Sequence, residues 1–356
     1  MASNLPNIPI AHQAPASASA DQPFPARFFQ CMTAFQKGAA LKGALELDLF
    51  TILSEASHTP ESLALRAQAS ARGVRILCDS LTIEGFLSKE NGRYSATPDA
   101  AMFLSRKSPA YIGSAAFFLG HPMLAENFRD LAGCVRNGGS INDGSSGALS
   151  PDNPIWVEFA RHMAPVAAMD AELLSRALQI SDCESKVLDI AAGHGMYGIT
   201  VARHNPRASI VAVDWKNVLE VARENAEKAG IIDRYCTVEG SAFEVEFGEG
   251  YDLVLLTNFL HHFSPEANQA LLHKICRALK PGGRAVALEF VPNEDRITPP
   301  IPASFALTML AATPDGDAYT FSELERMFRN TGFRSTELHE IPPSMHRVVI
   351  ATKWSN

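Results

Sequence analysis

The run Lys186-Val-Leu-Asp189-Ile-Ala-Ala-Gly193-His-Gly195-Met-Tyr-Gly198 decides the fold of this 356-residue chain. It begins as an apolar strand, continues as a glycine-rich turn and ends in an amphipathic segment. Glycine permits the backbone conformations that a tight turn needs, and it lets a ligand approach the main chain closely. The run therefore predicts a strand, a ligand-binding turn and a helix, which is the opening unit of a Rossmann-like sheet.

Apolar strands alternate with amphipathic helices from this run to the end of the chain. The alternation predicts an α/β fold with a Rossmann-like, doubly wound sheet, mainly parallel and covered by helices on both faces. The second strand, Ser209-Ile-Val-Ala-Val-Asp214, ends in a carboxylate placed to hold the two hydroxyls of a ribose. We expect seven strands, near residues 187–191, 209–213, 235–238, 252–257, 284–290, 335–340 and 346–352.

The amino-terminal part of the chain has a different pattern. Apolar residues recur at helical spacing, and Thr59 and Ser70 are typical helix caps. The pair Asn91-Gly92 between short apolar runs indicates a hairpin. Helices followed by a hairpin predict a mainly helical winged-helix domain. The expected organisation is a flexible tail at 1–23, this domain at 24–105, a helical connector at 106–169 and the ligand-binding domain at 170–356.

Composition argues against several classes of protein. The net charge is −8, and residues 24–105 carry eight Lys or Arg against eight Asp or Glu, so the winged helix lacks the basic surface that phosphate contacts need. We therefore expect no nucleic-acid partner. Six scattered cysteines without a Cys-x-x-Cys pair predict neither disulfides nor a metal site. No apolar run is long enough to span a bilayer, so we expect no membrane partner and a cytoplasmic location.

Two ligand classes compete for the glycine turn. The spacing Gly193-x-Gly195-x-x-Gly198, with Asp214 roughly twenty residues further on, also satisfies the fingerprint of nicotinamide-dinucleotide enzymes. In those enzymes, however, the glycines usually follow the strand directly. Here Asp189 precedes the first glycine with three residues between them. The motif alone leaves a dehydrogenase open.

Two later motifs favour a different cofactor. The segment Leu279-Lys-Pro-Gly-Gly-Arg284 precedes an apolar strand, and the strand at 251–256 runs into Leu260-His261-His262-Phe263. Together with the glycine turn and Asp214, these elements resemble the class I S-adenosylmethionine-dependent methyltransferases in order and spacing. The amino-terminal winged-helix domain narrows the resemblance. Over residues 24–353, the chain resembles the small-molecule O-methyltransferases that dimerise through such a domain.

The resemblance implies a cofactor, a partner and a reaction. The cofactor is S-adenosylmethionine, and the partner is a second copy of the chain, bound through the amino-terminal domain. The reaction is methyl transfer to a hydroxyl of a small, aromatic secondary metabolite. Transfer to nitrogen or carbon uses the same cofactor site and stays open, and a dehydrogenase is less favoured.

The resemblance also assigns residues to the cofactor. Asp189, Ala191, Gly193 and Gly195 are expected around its methionine part, and Asp214 at its ribose. Trp215 is expected beside the adenine. Ser241 stands where the family usually has a carboxylate, so an adenine contact there stays open. The remaining expected cofactor contacts are Gly240, Ala242, Phe243 and Asn258.

The resemblance to this family also assigns the catalytic residues. His261 aligns with the family's general base, and Glu289 aligns with the carboxylate that orients it. In the family a second carboxylate also orients the base, but Ala318 stands at its position here. Only one of the two orienting carboxylates is therefore expected. Alternatively, His261 only lines the pocket, and Glu289 is a carboxylate at a strand end that hydrogen-bonds the backbone. Residues that either line the acceptor pocket or belong to the core are His121, His162, Met163, Phe305 and Met309.

Overall fold

The structure is a computed structural model that describes residues 25–141, 153–180 and 183–355. The expected tail at 1–23 lies outside the described residues, as does most of the loop expected between Asn137 and Pro154. The amino-terminal helices are α1 (Ala26–Met32), α2 (Ala34–Glu46), α3 (Leu49–Glu55), α4 (Pro60–Arg66), α5 (Ala71–Ile83), α6 (Pro98–Leu104), α7 (Ala115–Leu119), α8 (Pro122–Glu126) and α9 (Leu131–Asn137).

A small antiparallel hairpin accompanies these helices, formed by β1 (Leu87–Glu90) and β2 (Arg93–Ala96). Asn91 and Gly92 have φ of 49° and 75°, the left-handed pair that a tight two-residue turn requires. The caps are as expected: Thr59 and Ser70 accept hydrogen bonds from the first turns of α4 and α5. The predicted winged-helix arrangement of helices and hairpin is confirmed in these elements.

The remaining elements form a seven-stranded sheet with helices on both faces. The strand order is β5-β4-β3-β6-β7-β9-β8, parallel from β5 to β7, with β9 antiparallel to both of its neighbours. All seven predicted strands are present. They are β3 (Ser185–Ile190), β4 (Ala208–Asp214), β5 (Tyr235–Glu239), β6 (Tyr251–Thr257), β7 (Leu279–Glu289), β8 (Phe333–Glu340) and β9 (Arg347–Lys353). The helices are α10 (Ile155–Ala177), α11 (Met196–His204), α12 (Lys216–Lys228), α13 (Pro265–Ala278), α14 (Pro300–Ala312) and α15 (Phe321–Asn330).

Two apolar layers hold this sheet between its helices. On one face, α10, α11 and α12 pack with Val187 and Ile210 of the sheet. On the other face, α13 and α15 pack with Leu188 and Ile190. Successive residues of β3 thus point to opposite layers, as the strand geometry requires. Among the described residues, no helix is both long and apolar enough to cross a membrane.

Two boundaries differ from the sequence expectation. Strand β7 was expected from residue 284 but begins at Leu279, because Leu279 already pairs with Tyr251. The register then shifts at the glycines, and pairing continues from Arg284. Helix α10 runs without a break past residue 170, although it contains Pro165. The boundary expected between residues 169 and 170 therefore falls inside a helix whose buried face packs on α11 and α12.

Candidate active site

The glycine turn after β3 has a backbone that few residue types can adopt. Ala191, Gly193 and Gly195 have φ of 52°, 57° and 73°, all in the left-handed region. A Cβ on Gly195 would lie 2.6 Å from the hydroxyl oxygen of Tyr235, so a side chain there would collide with the sheet. The turn at the carboxyl end of β3 is thus compact, and it exposes main chain instead of side chains.

Asp214, the last residue of β4, fastens this turn to the neighbouring strand. One carboxylate oxygen accepts a hydrogen bond from the Gly193 N–H at 2.8 Å, and the other accepts from the Trp215 N–H at 2.7 Å. Burial raises the pKa of Asp214 to about 6. Each oxygen of a carboxylate can accept more than one hydrogen bond, so both can still receive hydroxyl groups.

Asp189 lies beneath the turn and not on its surface. The residue is fully buried, and one carboxylate oxygen accepts a hydrogen bond from the Gly198 N–H at 3.1 Å. Its other oxygen has no partner in the described protein, and burial raises the pKa of Asp189 to about 7. Asp189 therefore reaches a ligand only through the backbone that it holds or through water.

Asn258 borders the same space from the end of β6. Its φ is 54°, and its N–H donates to the Leu288 carbonyl at 2.8 Å. The buried Oδ1 of its side chain has no hydrogen-bond partner in the described protein. Buried polar atoms are normally satisfied, so this unpartnered oxygen indicates a polar ligand.

The segment that follows β5 adjoins Asp214, because the Gly240 N–H donates to the Asp214 carbonyl at 2.9 Å. Gly240 has φ of 132°, and Ser241 uses its hydroxyl to accept the Phe243 N–H at 3.3 Å. Ala242 is buried, whereas Phe243 is exposed, with its ring 4.8 Å from that of Phe263. At the position where the family usually has a carboxylate, the Ser241 hydroxyl therefore stabilises the turn that contains it.

His261 and Glu289 form a buried pair at the ends of neighbouring strands. Nδ1 of His261 lies 2.6 Å from Oε2 of Glu289, and the residues are 5% and 3% exposed. The other oxygen of Glu289 accepts the N–H groups of Phe259 and Leu260 at 2.9 and 2.8 Å. The carboxylate is therefore fixed by backbone donors, and it in turn fixes the imidazole.

The backbone of His261 is held from the opposite side. The Asp317 N–H donates to the His261 carbonyl at 3.0 Å, and the Asp317 carboxylate pairs with Arg296 at 3.1 Å. Ala318 is buried and carries no carboxylate. Within the described ranges, Glu289 is the carboxylate that the imidazole contacts.

The neighbouring His262 has a different environment. Its ring lies 5.7 Å from Trp156, and its buried Nδ1 has no partner in the described protein. Burial, together with the charge of His261, holds the pKa of His262 well below its usual value. Both effects favour the neutral form of His262, and no carboxylate of the described residues hydrogen-bonds its Nδ1.

The residues expected in the acceptor pocket lie in three different places. Phe305 packs its ring edge-on against His261 at 4.9 Å, and Met309 follows one turn later on α14, buried. His162 pairs with Glu158 at 3.0 Å, and Met163 lies half-buried beside it on α10. His121 instead accepts the Met123 N–H and caps α8, so its hydrogen bond belongs to that helix end.

Sequence reasoning missed two aromatic residues on α10. Phe159 would lie 3.4 Å from a Cβ on Gly193, and it stacks on His194 at 5.8 Å. Trp156, one turn earlier, contacts His262 as described above. The available signal was a pair of aromatic residues three positions apart directly after the Gly-rich loop. The first turns of α10 thus cover both the glycine turn and the histidines.

Comparison with known proteins places this geometry in a family. The model of the O-methyltransferase domain matches residues 128–334, which is more than half of the chain. The model of the O-methyltransferase dimerisation domain matches residues 29–106. The two matches cover both parts of the chain that the sequence pattern distinguishes.

Individual relatives agree with these models. A solved structure from Nostoc punctiforme, for which O-methyltransferase activity has been suggested, is 49% identical, covers 94% of this chain and 100% of its own, and superposes with a TM-score of 0.88. The 3-hydroxy-5-methyl-1-naphthoate 3-O-methyltransferase of Streptomyces sahachiroi is 26% identical over 84% of this chain and 87% of its own. The L-tyrosine C(3)-methyltransferase of Streptomyces lavendulae is 26% identical over 88% of each chain.

The cofactor follows from the family and from the fit of the residues. Several solved neighbours of the same fold carry S-adenosylmethionine or its demethylated product. In this chain, a turn that exposes main chain, a carboxylate at the end of β4 and the unpartnered side-chain oxygen of Asn258 suit the amino-acid and ribose parts of that molecule. The chain belongs to the O-methyltransferase family and is an S-adenosylmethionine-dependent methyltransferase.

Proposed function

We propose that the enzyme methylates a hydroxyl oxygen of a small aromatic molecule, with His261 as general base and Glu289 as its orienting carboxylate. The observation that carries this proposal is the 2.6 Å contact between the two side chains. An ionised carboxylate only accepts hydrogen bonds, so Nδ1 of His261 must carry the hydrogen. The lone pair is then on Nε2, which is the atom that takes a proton from the acceptor.

The energetics favour proton removal during methyl transfer and not before it. A phenol has a pKa near 10 and a histidine one near 6.5, so complete transfer beforehand is uphill by about 5 kcal/mol. Bound S-adenosylmethionine supplies the electrophilic methyl group. The protein holds the acceptor oxygen in line with it and excludes water, and Glu289 stabilises the imidazolium as it forms. With Ala318 at the second position, Glu289 provides this stabilisation alone.

The acceptor class is inferred from the surroundings of His261. Phe305 and His262 contact its ring, and Trp156 extends this aromatic lining along α10. Flat aromatic side chains favour a flat aromatic guest. The Streptomyces sahachiroi relative, which is named for a hydroxylated naphthoate, agrees with this class.

Methylation of an aromatic carbon is the second candidate. The Streptomyces lavendulae relative is named for the C3 carbon of tyrosine, which lies next to the phenol oxygen on the ring. Removing the phenol proton increases electron density on both atoms, so the same base could serve either reaction. The position of the acceptor relative to the methyl group then decides the product.

The experiment that tests the proposal is product analysis with ¹³C-methyl S-adenosylmethionine and a panel of phenols, catechols and naphthols. We expect the labelled carbon to appear bonded to oxygen in the NMR spectrum of the product. A label on ring carbon supports the second candidate, and a label on nitrogen of an amine panel would contradict both. Absence of label with every phenol would overturn the proposed acceptor class.

We also propose that Asp214 binds the ribose and that Ala191, Gly193 and Gly195 surround the methionine part. Of the remaining expected contacts, Trp215 and Phe243 are proposed at the adenine. The partly exposed position of Phe243 and the backbone that Asp214 fixes support this arrangement.

A pH dependence of cofactor binding follows from Asp214. Its raised pKa of about 6 means that the ribose-binding carboxylate loses its charge as the pH falls through that value. We expect S-adenosylmethionine to bind about tenfold more weakly at pH 5 than at pH 7.5, because only the ionised form accepts strong hydrogen bonds. Calorimetry at both pH values measures the change. The Asp214→Asn variant serves as the control, since its binding should be weaker and should lose the part of the pH dependence that Asp214 contributes. Equal wild-type affinity at both values would contradict the assignment.

We propose that the enzyme is a homodimer whose amino-terminal unit, near residues 25–105, supplies most of the interface. The catalytic unit would begin with the connector and include all of α10, which adjusts the boundary expected at residue 170. A group of side chains on α1 and the start of α2 is 60–71% exposed although apolar, and such a patch marks an interaction surface. These residues are Phe28, Phe29, Met32 and Phe35.

A cytoplasmic location remains an expectation from the sequence.

Light scattering on the full chain tests the dimer. We expect a dimer for the wild type, and a largely monomeric protein for the double variant Phe29→Asp, Phe35→Asp, because charges in an apolar interface are costly to bury. The matched control is Ile297→Asp, an exposed apolar residue in the other part of the chain, which should leave the dimer intact. A monomeric wild type would rule the proposal out.

A further inference from the structure

The short turn that carries His261 is held only weakly by its own hydrogen bonds. It is a single 3₁₀ turn, Leu260–His262. The His262 N–H donates to the Phe259 carbonyl at 3.2 Å, and the Phe263 N–H donates to the Leu260 carbonyl at 3.3 Å. Both distances exceed the usual value of about 2.9–3.0 Å for such bonds. The orientation of the His261 ring therefore depends on contacts from other elements.

Asn268, in the first turn of α13, supplies two of these contacts. Its Nδ2 donates to the Leu260 carbonyl at 2.8 Å and to the Phe263 carbonyl at 3.2 Å. A side-chain amide nitrogen carries two hydrogens, so it can serve both carbonyls at once. The residue is fully buried. One amide thus bridges the two carbonyls that flank His261 and His262.

The position of Asn268 is itself fixed by the capped start of α13. The Ser264 hydroxyl accepts the Ala267 N–H at 3.3 Å, and the Ser264 carbonyl accepts the Asn268 N–H at 2.9 Å. Such caps stabilise the first turn of a helix. The amide therefore reaches the turn from a rigid element and not from a loop.

The other end of the same amide is not satisfied. Oδ1 of Asn268 is buried and has no hydrogen-bond partner among the residues that the structure describes. An unpartnered buried oxygen is unfavourable, and leucine, of similar size, would place no polar atom there. What asparagine adds at this position is therefore the pair of hydrogen bonds that its nitrogen donates.

These bonds complement those of Glu289. The Glu289 carboxylate accepts the N–H groups of Phe259 and Leu260, and it contacts Nδ1 of His261. Asn268 instead engages carbonyl groups of the same turn. The N–H groups and the carbonyls of the turn are thus held by two different elements, β7 and α13.

We propose that Asn268 is a positioning residue for the base: its amide holds the turn so that the His261 imidazole stays on the Glu289 carboxylate. The inference rests on the proposed function for the role of His261 in the reaction. It adds the residue that fixes the orientation of the ring.

The first test uses NMR of the full chain, labelled with ¹⁵N in the histidine rings and bound to S-adenosylhomocysteine. The Nδ1 proton of His261 is identified by its absence from the His261→Ala spectrum. We expect this proton to exchange with water about tenfold faster in Asn268→Leu than in the wild type, because the ring leaves Glu289 more often. Asn268→Asp keeps the shape of the side chain, and its protonated carboxyl can donate to only one carbonyl. Its exchange should be intermediate.

The matched control is Ile275→Ala. Ile275 is also fully buried, and it lies about two turns further along α13. Its truncation should lower the melting temperature at least as much as Asn268→Leu does, because it leaves a cavity in the core. The exchange of the His261 proton should nevertheless stay within about twofold of the wild type.

The second test measures single-turnover rates with a neutral phenol and with an ionised nitrophenol. We expect Asn268→Leu to lower the rate about 10–100-fold with the neutral phenol and less than about threefold with the ionised one, which needs no base. Its affinity for S-adenosylhomocysteine should stay within about threefold of the wild type. Equal losses with both phenols would contradict a role in positioning the base.

Three exchange results would overturn the inference. These are a wild-type proton that exchanges too fast to observe, an Asn268→Leu protein with wild-type exchange, and an Ile275→Ala protein with exchange as fast as that of Asn268→Leu. If Asn268→Leu does not fold, Asn268→Asp decides, and wild-type exchange in that variant would overturn the inference. If the exchange results are as expected but His261→Ala loses no rate, the proposed base is wrong and the hold of Asn268 on the histidine stands.

Discussion

Replacing His261 by alanine should lower kcat by about 10²–10⁴ and leave the affinity for S-adenosylmethionine nearly unchanged. The ring is buried against Glu289 and Phe305. The expected loss follows from the proposed role of its Nε2 as the proton acceptor. The cofactor does not depend on this side chain, because its proposed contacts come from the ends of β3, β4 and β5. Steady-state rates and calorimetry on the same preparation measure the two effects.

Two further variants separate base catalysis from a packing effect. Glu289→Gln keeps the volume but removes the charge, so it should cause a smaller loss than His261→Ala. His262→Ala, the matched control one residue away, should also matter less, because Nδ1 of His262 has no hydrogen-bond partner among the described residues. If His261→Ala methylates its acceptor at nearly the wild-type rate, positioning alone carries the reaction.

Replacing Asp214 by alanine should weaken S-adenosylmethionine binding by about 1.5–3 kcal/mol, which is roughly 10–150-fold. The variant removes the proposed acceptor of the ribose hydroxyls. It also releases the Gly193 and Trp215 N–H groups, which the carboxylate holds at 2.8 and 2.7 Å. Calorimetry with S-adenosylmethionine, its demethylated product and NAD measures the effect, and NAD should not bind the wild type.

The matched control for this variant is Asp252→Ala. Asp252 is also a sheet carboxylate that accepts a backbone N–H, from Lys186 at 2.8 Å, but it lies at the amino-terminal edge of the parallel strands. Its loss should lower the melting temperature without changing cofactor affinity. An Asp214→Ala variant with wild-type affinity, or tight NAD binding by the wild type, would contradict the cofactor assignment.

The fold could be predicted because local signals and tertiary structure agree. All seven strands lie within a few residues of their expected positions, since buried parallel strands are apolar throughout and are punctuated by glycine and proline. The turn at Gly193 and Gly195 was recognisable because only a few residue types adopt its backbone. The start of β7 at Leu279 was missed, because its glycines resemble a turn while the strand continues through a shifted register.

The candidate site could be predicted only in part. His261 and Glu289 follow strand ends, so their proximity could be expected from the order of the strands. The two backbone donors to Glu289 could not, because they depend on the conformation of the turn after β6. The contribution of helix α10 to the site was harder to predict. The sequence shows aromatic residues at helical spacing, but only tertiary packing decides that Trp156 and Phe159 face the site.

The central claim is that His261 removes a proton from the acceptor hydroxyl as the methyl group is transferred. The most direct test is a set of single-turnover rates for wild type and His261→Ala with two phenols, one neutral at the assay pH and one nitrophenol that is already ionised. We expect a loss of about 10²–10⁴ with the neutral phenol and a loss of less than about tenfold with the ionised one. Equal losses with both phenols, or no loss with either, would contradict the account.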